Sequence, residues 1–225
     1  MLSIGNERTL QKRAIRRAIS SAEAEGEPQL LPELGCLDRA RPIPDLETMQ
    51  TLEQVILVDE RDRETGFGEK HEVHRQGALH RAFSVIVWNS SGELLLQKRH
   101  AKKYHSGGLW TNACCGHQRP GEDNVSAAVR RLEQEMGFVC PLEALGTIRY
   151  HAKLDHGMTE HEIVHVFRGI YDGEITPHPD EAEDYQWTPL NDIQADALAE
   201  PERYTIWFRR YLNAGWPVSV ASPAS

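Results

Sequence analysis

From Gln54 to Trp207 the chain alternates short apolar runs with clusters of turn-forming residues, a rhythm that predicts a mixed α/β (α+β) domain. QVILVDE, from Gln54, reads as a buried strand, and RDRETGFGEK after it as a turn broken by Gly66 and Gly68. KHEVHRQG reads as a His-rich loop leading into an aromatic and β-branched strand, Phe83 to Trp88. Asn89-Ser90-Ser91-Gly92 is a turn signal and Glu93 to Arg99 a second strand, so Phe83–Arg99 is expected to form a β-hairpin. AKKYHSGGLW is a loop with a Gly107-Gly108 step. Next comes a helix that Asp123 or Asn124 can cap, with Val125, Ala128, Val129, Leu132 and Met136 as its apolar stripe and Gly137 ending it in a left-handed turn. Leu145–Lys153 and Thr159–Gly169 read as two more strands turning at Asp155-His156-Gly157. HPDEAEDYQWTPL is an acidic loop entering a short strand, Tyr185–Trp187. Pro201 suits the first position of a C-terminal helix carrying Tyr204, Trp207, Phe208, Tyr211 and Leu212 at helical spacing. The expected architecture is a mixed sheet with one central and one C-terminal helix.

Residues 1–48 break the rhythm. Leu10, Ala14, Ile15, Ala18 and Ile19 fall near one helical face, so Glu7–Ala22 reads as an amphipathic helix. EGEPQLLPELG and RARPIPD then carry prolines and charges without a period, as a linker does. This division predicts a leader over 1–48 that the chemistry does not need, a domain over 49–213 and a loose tail over 214–225.

Composition narrows the function classes. A net charge of −9 over 225 residues argues against general binding to nucleic acid or an anionic membrane, so any anion site must be local. The four cysteines, Cys36, Cys114, Cys115 and Cys140, include an adjacent pair and follow no secretory signal, which points to reduced thiols in the cytoplasm. The acidic Glu7, Glu23, Glu25 and Glu27 oppose a transit peptide. No apolar run approaches the roughly 20 residues that span a bilayer.

Candidate chemistry concentrates in a few places. Eleven histidines is high for this length, and three stand out: His74 and His80 bracket a short loop before a strand, and His117 lies two residues after Cys115. Glu160 and Glu162 alternate on a strand and so share one face, continued by Val164, with His161 and His165 facing away. Three imidazoles and two carboxylates would make a mixed nitrogen and oxygen site suited to Mn²⁺, Mg²⁺ or Zn²⁺. On the central helix, Arg130, Arg131, Glu133, Gln134 and Glu135 read on pattern alone as a solvated face, with an Arg131–Glu135 pair worth about 0.3 kcal/mol.

Spacing adds a resemblance. Gly116, Glu122 and the run Arg130-Arg131-Leu132-Glu133-Gln134-Glu135-Met136-Gly137 resemble the Nudix box, except that Arg131 and Gln134 stand where the box has Glu. In Nudix hydrolases those carboxylates gather the divalent ions that activate water against a diphosphate. TNACCGH, in turn, resembles the cysteine motif of the type I isopentenyl-diphosphate isomerases, a family with the Nudix fold. LHRAFSVIVWN, LLLQKR before a basic loop, RY before a Glu-x-Glu strand, and DYQW follow in that family's order across Gln54–Trp207.

The resemblance implies a Nudix-type mixed β-sheet sandwich and a site residue by residue. Cys115 and Glu162 match the family's catalytic pair, Tyr150 its assisting tyrosine, and Trp207 a tryptophan facing the substrate cation. His74, His80, His117, Glu160 and Glu162 match its Mn²⁺ or Zn²⁺ ligands, and Glu135 a residue that holds Mg²⁺ with the substrate diphosphate. Lys70, Arg99 and Lys103 match its diphosphate-binding residues, and Arg131, displacing the box Glu, is expected beside them. His71, His100, His105, His151, His156, His161, His165 and His178 are expected to be ordinary surface or core residues, and Cys114 structural. Gln118 and Ser106-Gly107 stand where prolines or bulky residues are common in the family, a difference expected to touch loop shape only. The expected activity interconverts isopentenyl and dimethylallyl diphosphate, with a small-molecule diphosphate as partner and a monomer as the simplest state, a dimer being left open. Two alternatives stand beside it: a Nudix pyrophosphohydrolase of nucleoside diphosphates, and a catalytically silent binding module.

Overall fold

Strand β3 (His80–Trp88) organises the architecture, in a computed structural model that describes residues 53–215. The leader helix over Glu7–Ala22, its linker and the tail from 216 lie outside the described residues. Along β3, Phe83, Val85 and Val87 enter one hydrophobic core, whereas Ala82, Ile86 and Trp88 enter another. Burial on both faces is why this stretch reads as an almost continuous apolar run. β3 pairs in parallel with β8 (Thr159–Ile170) from His80↔Glu162 to Trp88↔Ile170. On its other edge it pairs antiparallel with β6 (Cys114–Gly116), with Ser84 opposite Cys115. β7 (Glu143–Lys153) runs antiparallel to β8. β4 (Glu93–Arg99) pairs with β5 (Trp110–Asn112) and with β9 (Ala182–Pro189). With β1 (Gln54–Val58) and β2 (Glu64–Glu69), hydrogen bonding joins nine strands.

Helix α2 (Asn124–Met136) covers one core with Ala127, Ala128, Leu132 and Met136. Asp123 caps it by accepting from the Ser126 amide at 3.0 Å. Gly137 ends it at φ 76°, where a Cβ would meet the Thr176 carbonyl oxygen at 2.3 Å. The buried stripe is rotated from the expected one: Val125 is 43% exposed, Val129 half-buried, and Ala127 and Glu135 are buried instead. The C-terminal helix α4 (Ile206–Asn213) closes the second core with Trp207, Phe208 and Tyr211. The sandwich expected of the sequence is therefore present, with these two helices on its two cores.

Several local expectations fail. Glu64–Glu69, read as a turn, is strand β2, held along β1 from Gln54↔Glu69. Its Gly68 lies where a Cβ would meet Val73 Cγ2 at 2.4 Å, so that glycine answers a packing need. The His-rich loop is helix α1 (Lys70–Gln76), whose Glu69 cap accepts from the His71 and Glu72 amides at 2.9 Å and whose C-cap is Gly77. At seven residues it is too short to show an apolar stripe. The Phe83–Arg99 hairpin keeps its turn, but its strands pair only at Trp88↔Leu94 before diverging to other partners. β9 runs beyond Tyr185–Trp187 in both directions. A helix absent from the sequence reading, α3 (Leu190–Ala199), buries only Ile193 and has no side-chain cap. Pro201 opens a 3₁₀ turn, Pro201–Arg203, rather than the C-terminal helix itself.

Candidate active site

Strand register assembles the polar cluster. β3 lies beside β8 with His80 level with Glu162, and β7 sets Tyr150 level with Glu162 and Ala152 with Glu160. Alternation turns His161 and His165 to the other face of β8, where they meet the Gly77 carbonyl at 3.0 Å and Asp62 at 2.7 Å. α1 contributes His74, and His117 follows β6. All five groups are buried. His74 Nε2 stands 3.3 Å from Glu160 Oε2; His80 Nε2 lies 4.0 Å from that oxygen and 3.4 Å from Glu162 Oε1; His117 Nε2 is 3.0 Å from Glu162 Oε1.

The donor set fits a divalent cation. His74 Nδ1–H donates to the Lys70 carbonyl at 2.6 Å and His80 Nδ1–H to the Ala78 carbonyl at 2.9 Å. Each bond leaves the Nε2 lone pair on the inner side, the arrangement found at metal-ligating histidines. Neither Nε2 has a hydrogen-bond partner, and nor does Glu160 Oε2. Buried lone pairs facing a carboxylate repel one another unless a cation stands among them. Burial and the Glu162 charge push the Glu160 carboxyl above its usual range. Burial acts on Glu162 in the same direction, but the neighbouring His117 and His80 imidazoles outweigh it and hold that carboxyl well below. His74, His80, His117 and Glu162 bring donor atoms within 4.8 Å of one another, and so do His74, His105 and Glu160. This buried His/Glu group could hold a metal ion.

On the adjoining wall, Cys115 Sγ is 3.4 Å from Ser84 Oγ and 3.3 Å from Asn112 Nδ2. Burial pushes its thiol up to about 12, so the group stays protonated at neutral pH. Cys114, its neighbour, points into the α2 core. Tyr150 donates its hydroxyl to Glu162 Oε2 at 2.6 Å. Trp207 donates from Nε1 to Thr111 Oγ1 at 2.8 Å, while its ring lines the cavity 5.2 Å from the Arg99 guanidinium. It is both core and pocket wall.

Lys70, Arg99, Lys103 and Arg131 line the same cavity. Lys70 pairs with Glu53 at 2.9 Å, and Lys103 pairs with Glu181. Arg131 bonds Glu135 and reaches Glu181 at 3.2 Å. Glu135 also accepts from Gln97 Nε2 at 3.0 Å, so the pair read as solvated is a half-buried network facing the cavity. Burial raises the Glu53 carboxyl, but Lys70 outweighs it and brings the group down to about 2. Every residue singled out for chemistry in the sequence touches this cavity or its polar cluster.

Among the wall residues not foreseen are Glu53, Tyr104, His105 and Tyr211. His105, expected to be ordinary, is buried with Nε2 3.6 Å from Glu160 Oε1. Its loop turns inward at Ser106, whose φ is 51°, and Gly107 passes so near Ala101 that a Cβ would meet its carbonyl oxygen at 2.3 Å. That tight geometry has no period in the sequence; the one available signal is the Ser106-Gly107 departure from the family pattern.

The NUDIX domain family model matches residues 78–208. A protein named isopentenyl-diphosphate Delta-isomerase 2 from Aromatoleum aromaticum is 47% identical over 161 residues, covering 72% of this chain and 85% of that one. A protein of the same name from Photorhabdus laumondii is 48% identical and covered over 91% of its length, and an isopentenyl-diphosphate Delta-isomerase from Burkholderia multivorans is 44% identical and covered over 95%. Among solved structures, a Deinococcus radiodurans protein superposes with a TM-score of 0.62 at 18% identity, over 73% of this chain and 99% of that one. The MutT protein of Methanosarcina mazei gives 0.51 at 20% identity, over 60% and 91%. These two likenesses are of fold.

Proposed function

Because this chain belongs to the Nudix family and, within it, to the isopentenyl-diphosphate Delta-isomerases, we propose that its cavity interconverts isopentenyl and dimethylallyl diphosphate. One observation carries the reading. Cys115 and the Tyr150–Glu162 pair open on one largely buried cavity that also bears Lys70, Arg99, Lys103 and Arg131.

Moving the double bond requires a proton to be added at the terminal methylene and another removed from the carbon beside the ester-bearing CH₂. Cys115 Sγ and Glu162 supply the two proton sites, one giving while the other takes, and the reverse reaction exchanges their roles. Tyr150, already donating to Glu162 Oε2, serves that carboxyl's proton traffic. Between the two transfers the substrate is a tertiary carbocation, and the Trp207 ring offers it a π face in a pocket that excludes water. Lys70, Arg99, Lys103 and Arg131 bind the diphosphate; Glu53 and Glu181 hold two of the heads in place beforehand.

His74, His80, His117, Glu160 and Glu162 would hold Mn²⁺ or Zn²⁺, and Glu135 would meet Mg²⁺ brought with the diphosphate. Such an ion supplies fixed positive charge that stabilises the paired carboxylates and tunes their proton affinity. The catalytic unit corresponds to residues 49–213, acting as a monomer in the cytoplasm without need of 1–48. Among the described residues, no helix is long and apolar enough to cross a membrane.

Turnover in deuterated water tests the reading. Deuterium is expected in the allylic product with no phosphate released. Phosphate release without deuterium entry would favour the pyrophosphohydrolase instead.

A further inference from the structure

The two oxygens of Glu160 face different partners. Oε2 points toward His74 Nε2 at 3.3 Å and His80 Nε2 at 4.0 Å and has no hydrogen bond. Oε1 lies 3.6 Å from His105 Nε2, just beyond hydrogen-bond distance. The His105 ring is fixed on three sides. It meets the Trp207 ring edge to face at 5.7 Å and 89°, and stacks on His74 at 6.1 Å and 26°. Its Nδ1 is 3.3 Å from the Ser106 hydroxyl. Ser106 is itself tied down, its amide donating to both carboxylate oxygens of Asp155 at 3.3 Å. If the hydroxyl donates to Nδ1, the other ring nitrogen carries the hydrogen and presents it to Glu160.

We propose that His105 is a positioning residue of the metal site, turning Glu160 through Oε1 so that Oε2 is presented to the cation held by His74, His80 and His117. It is not a ligand itself. A buried carboxylate free to rotate about its last bond can offer either oxygen, and an N–H held 3.6 Å from one of them, close enough to bond after a small turn of the carboxylate, favours presenting the other to a cation. Outer groups that orient a ligand in this way are worth about 10–100-fold in metal affinity. Contact with Trp207 means that one ring braces both the metal face and the hydrocarbon wall of the cavity. The inference rests on the reading that the His/Glu cluster binds a divalent ion.

Metal-free full-length protein titrated with Mn²⁺ alone, without substrate, tests it. His105→Phe keeps a flat ring and removes both nitrogens; it is expected to weaken Mn²⁺ binding about 10–100-fold at unchanged stoichiometry. His105→Gln, whose amide can still donate to a carboxylate, is expected to recover most of that loss. Wild-type affinity in the Phe variant would overturn the proposal, as would a Gln variant no better than Phe. X-ray absorption of the Mn²⁺-loaded wild type should count three imidazoles; a fourth would make His105 a ligand and overturn the positioning role. Should the Phe variant fail to fold, His105→Leu is read in its place. Wild-type protein that takes up no Mn²⁺ would instead sink the metal reading and this inference with it.

Discussion

Tyr150 and Glu162, level with each other on neighbouring antiparallel strands, share a 2.6 Å hydrogen bond from the phenol to Oε2, while His117 and His80 meet the other carboxylate oxygen. The carboxylate is thus divided between a side that meets the phenol and a side that meets the imidazoles. Tyr150→Phe removes only the first. Its kcat is expected to fall about 100-fold or more, the usual range for losing an acid–base group, with bound metal and KM nearly unchanged. Wild-type kcat would show the phenol to be structural.

The adjacent cysteines face opposite ways, Cys114 into the α2 core and Cys115 to the cavity. Cys115→Ala should therefore abolish turnover while leaving the urea midpoint close to wild type. Cys114→Ala should keep most activity and lose about 1 kcal/mol of stability, as small core truncations do. Equal activity losses in the two variants would refute the assignment.

Stripping metal should remove both activity and stability, because a cation in the His/Glu group would compensate charges and lone pairs that are otherwise buried against one another. Ligand present at 100 times its Kd adds about 2.7 kcal/mol, so chelator is expected to lower Tm and added Mn²⁺ to restore it. His117→Ala should lower bound metal in elemental analysis and blunt the Tm response. An unchanged metal content would remove His117 from the set.

How far the sequence could be read depended on whether a residue's position follows a period. Glu160, Glu162 and Val164 share a face because a strand alternates, and no further information is needed. α2 announced itself through Asp123 and Gly137, although packing against β6 rotated its buried face toward Ala127 and Glu135. α1 hid because about two turns of helix show no stripe, and its Glu69 cap is outside the common capping residues. The β3–β4 hairpin misled because a correct turn says nothing about which strands its arms finally join. His105 was lost for a related reason: its direction is set by Ser106 at positive φ and by Gly107 against Ala101, contacts that are not local in pattern. Trp207 was placed in the core by its helical spacing, and in the site only through the family resemblance. It proves to be in both.

The last prediction concerns one of the two residues, Arg131 and Gln134, by which this chain departs from the Nudix box. Arg131 sits between Glu135 and Glu181, its guanidinium bonding the first and 3.2 Å from the second. Attraction to these carboxylates outweighs its burial and keeps it charged. Arg131→Glu would restore a box carboxylate, but beside two others and beneath the diphosphate's proposed seat. If the box alone decided the chemistry, this variant would begin to hydrolyse diphosphates. The charge arrangement predicts otherwise. Losing a hydrogen bond to a charged group is worth about 1.5–3 kcal/mol, so KM for isopentenyl diphosphate should rise at least about 10-fold. kcat should fall less, since Cys115 and Glu162 are untouched, and no phosphate should appear. Hydrolysis by the variant, measured as phosphate release, would mean that Arg131 rather than the cysteine motif separates the two activities.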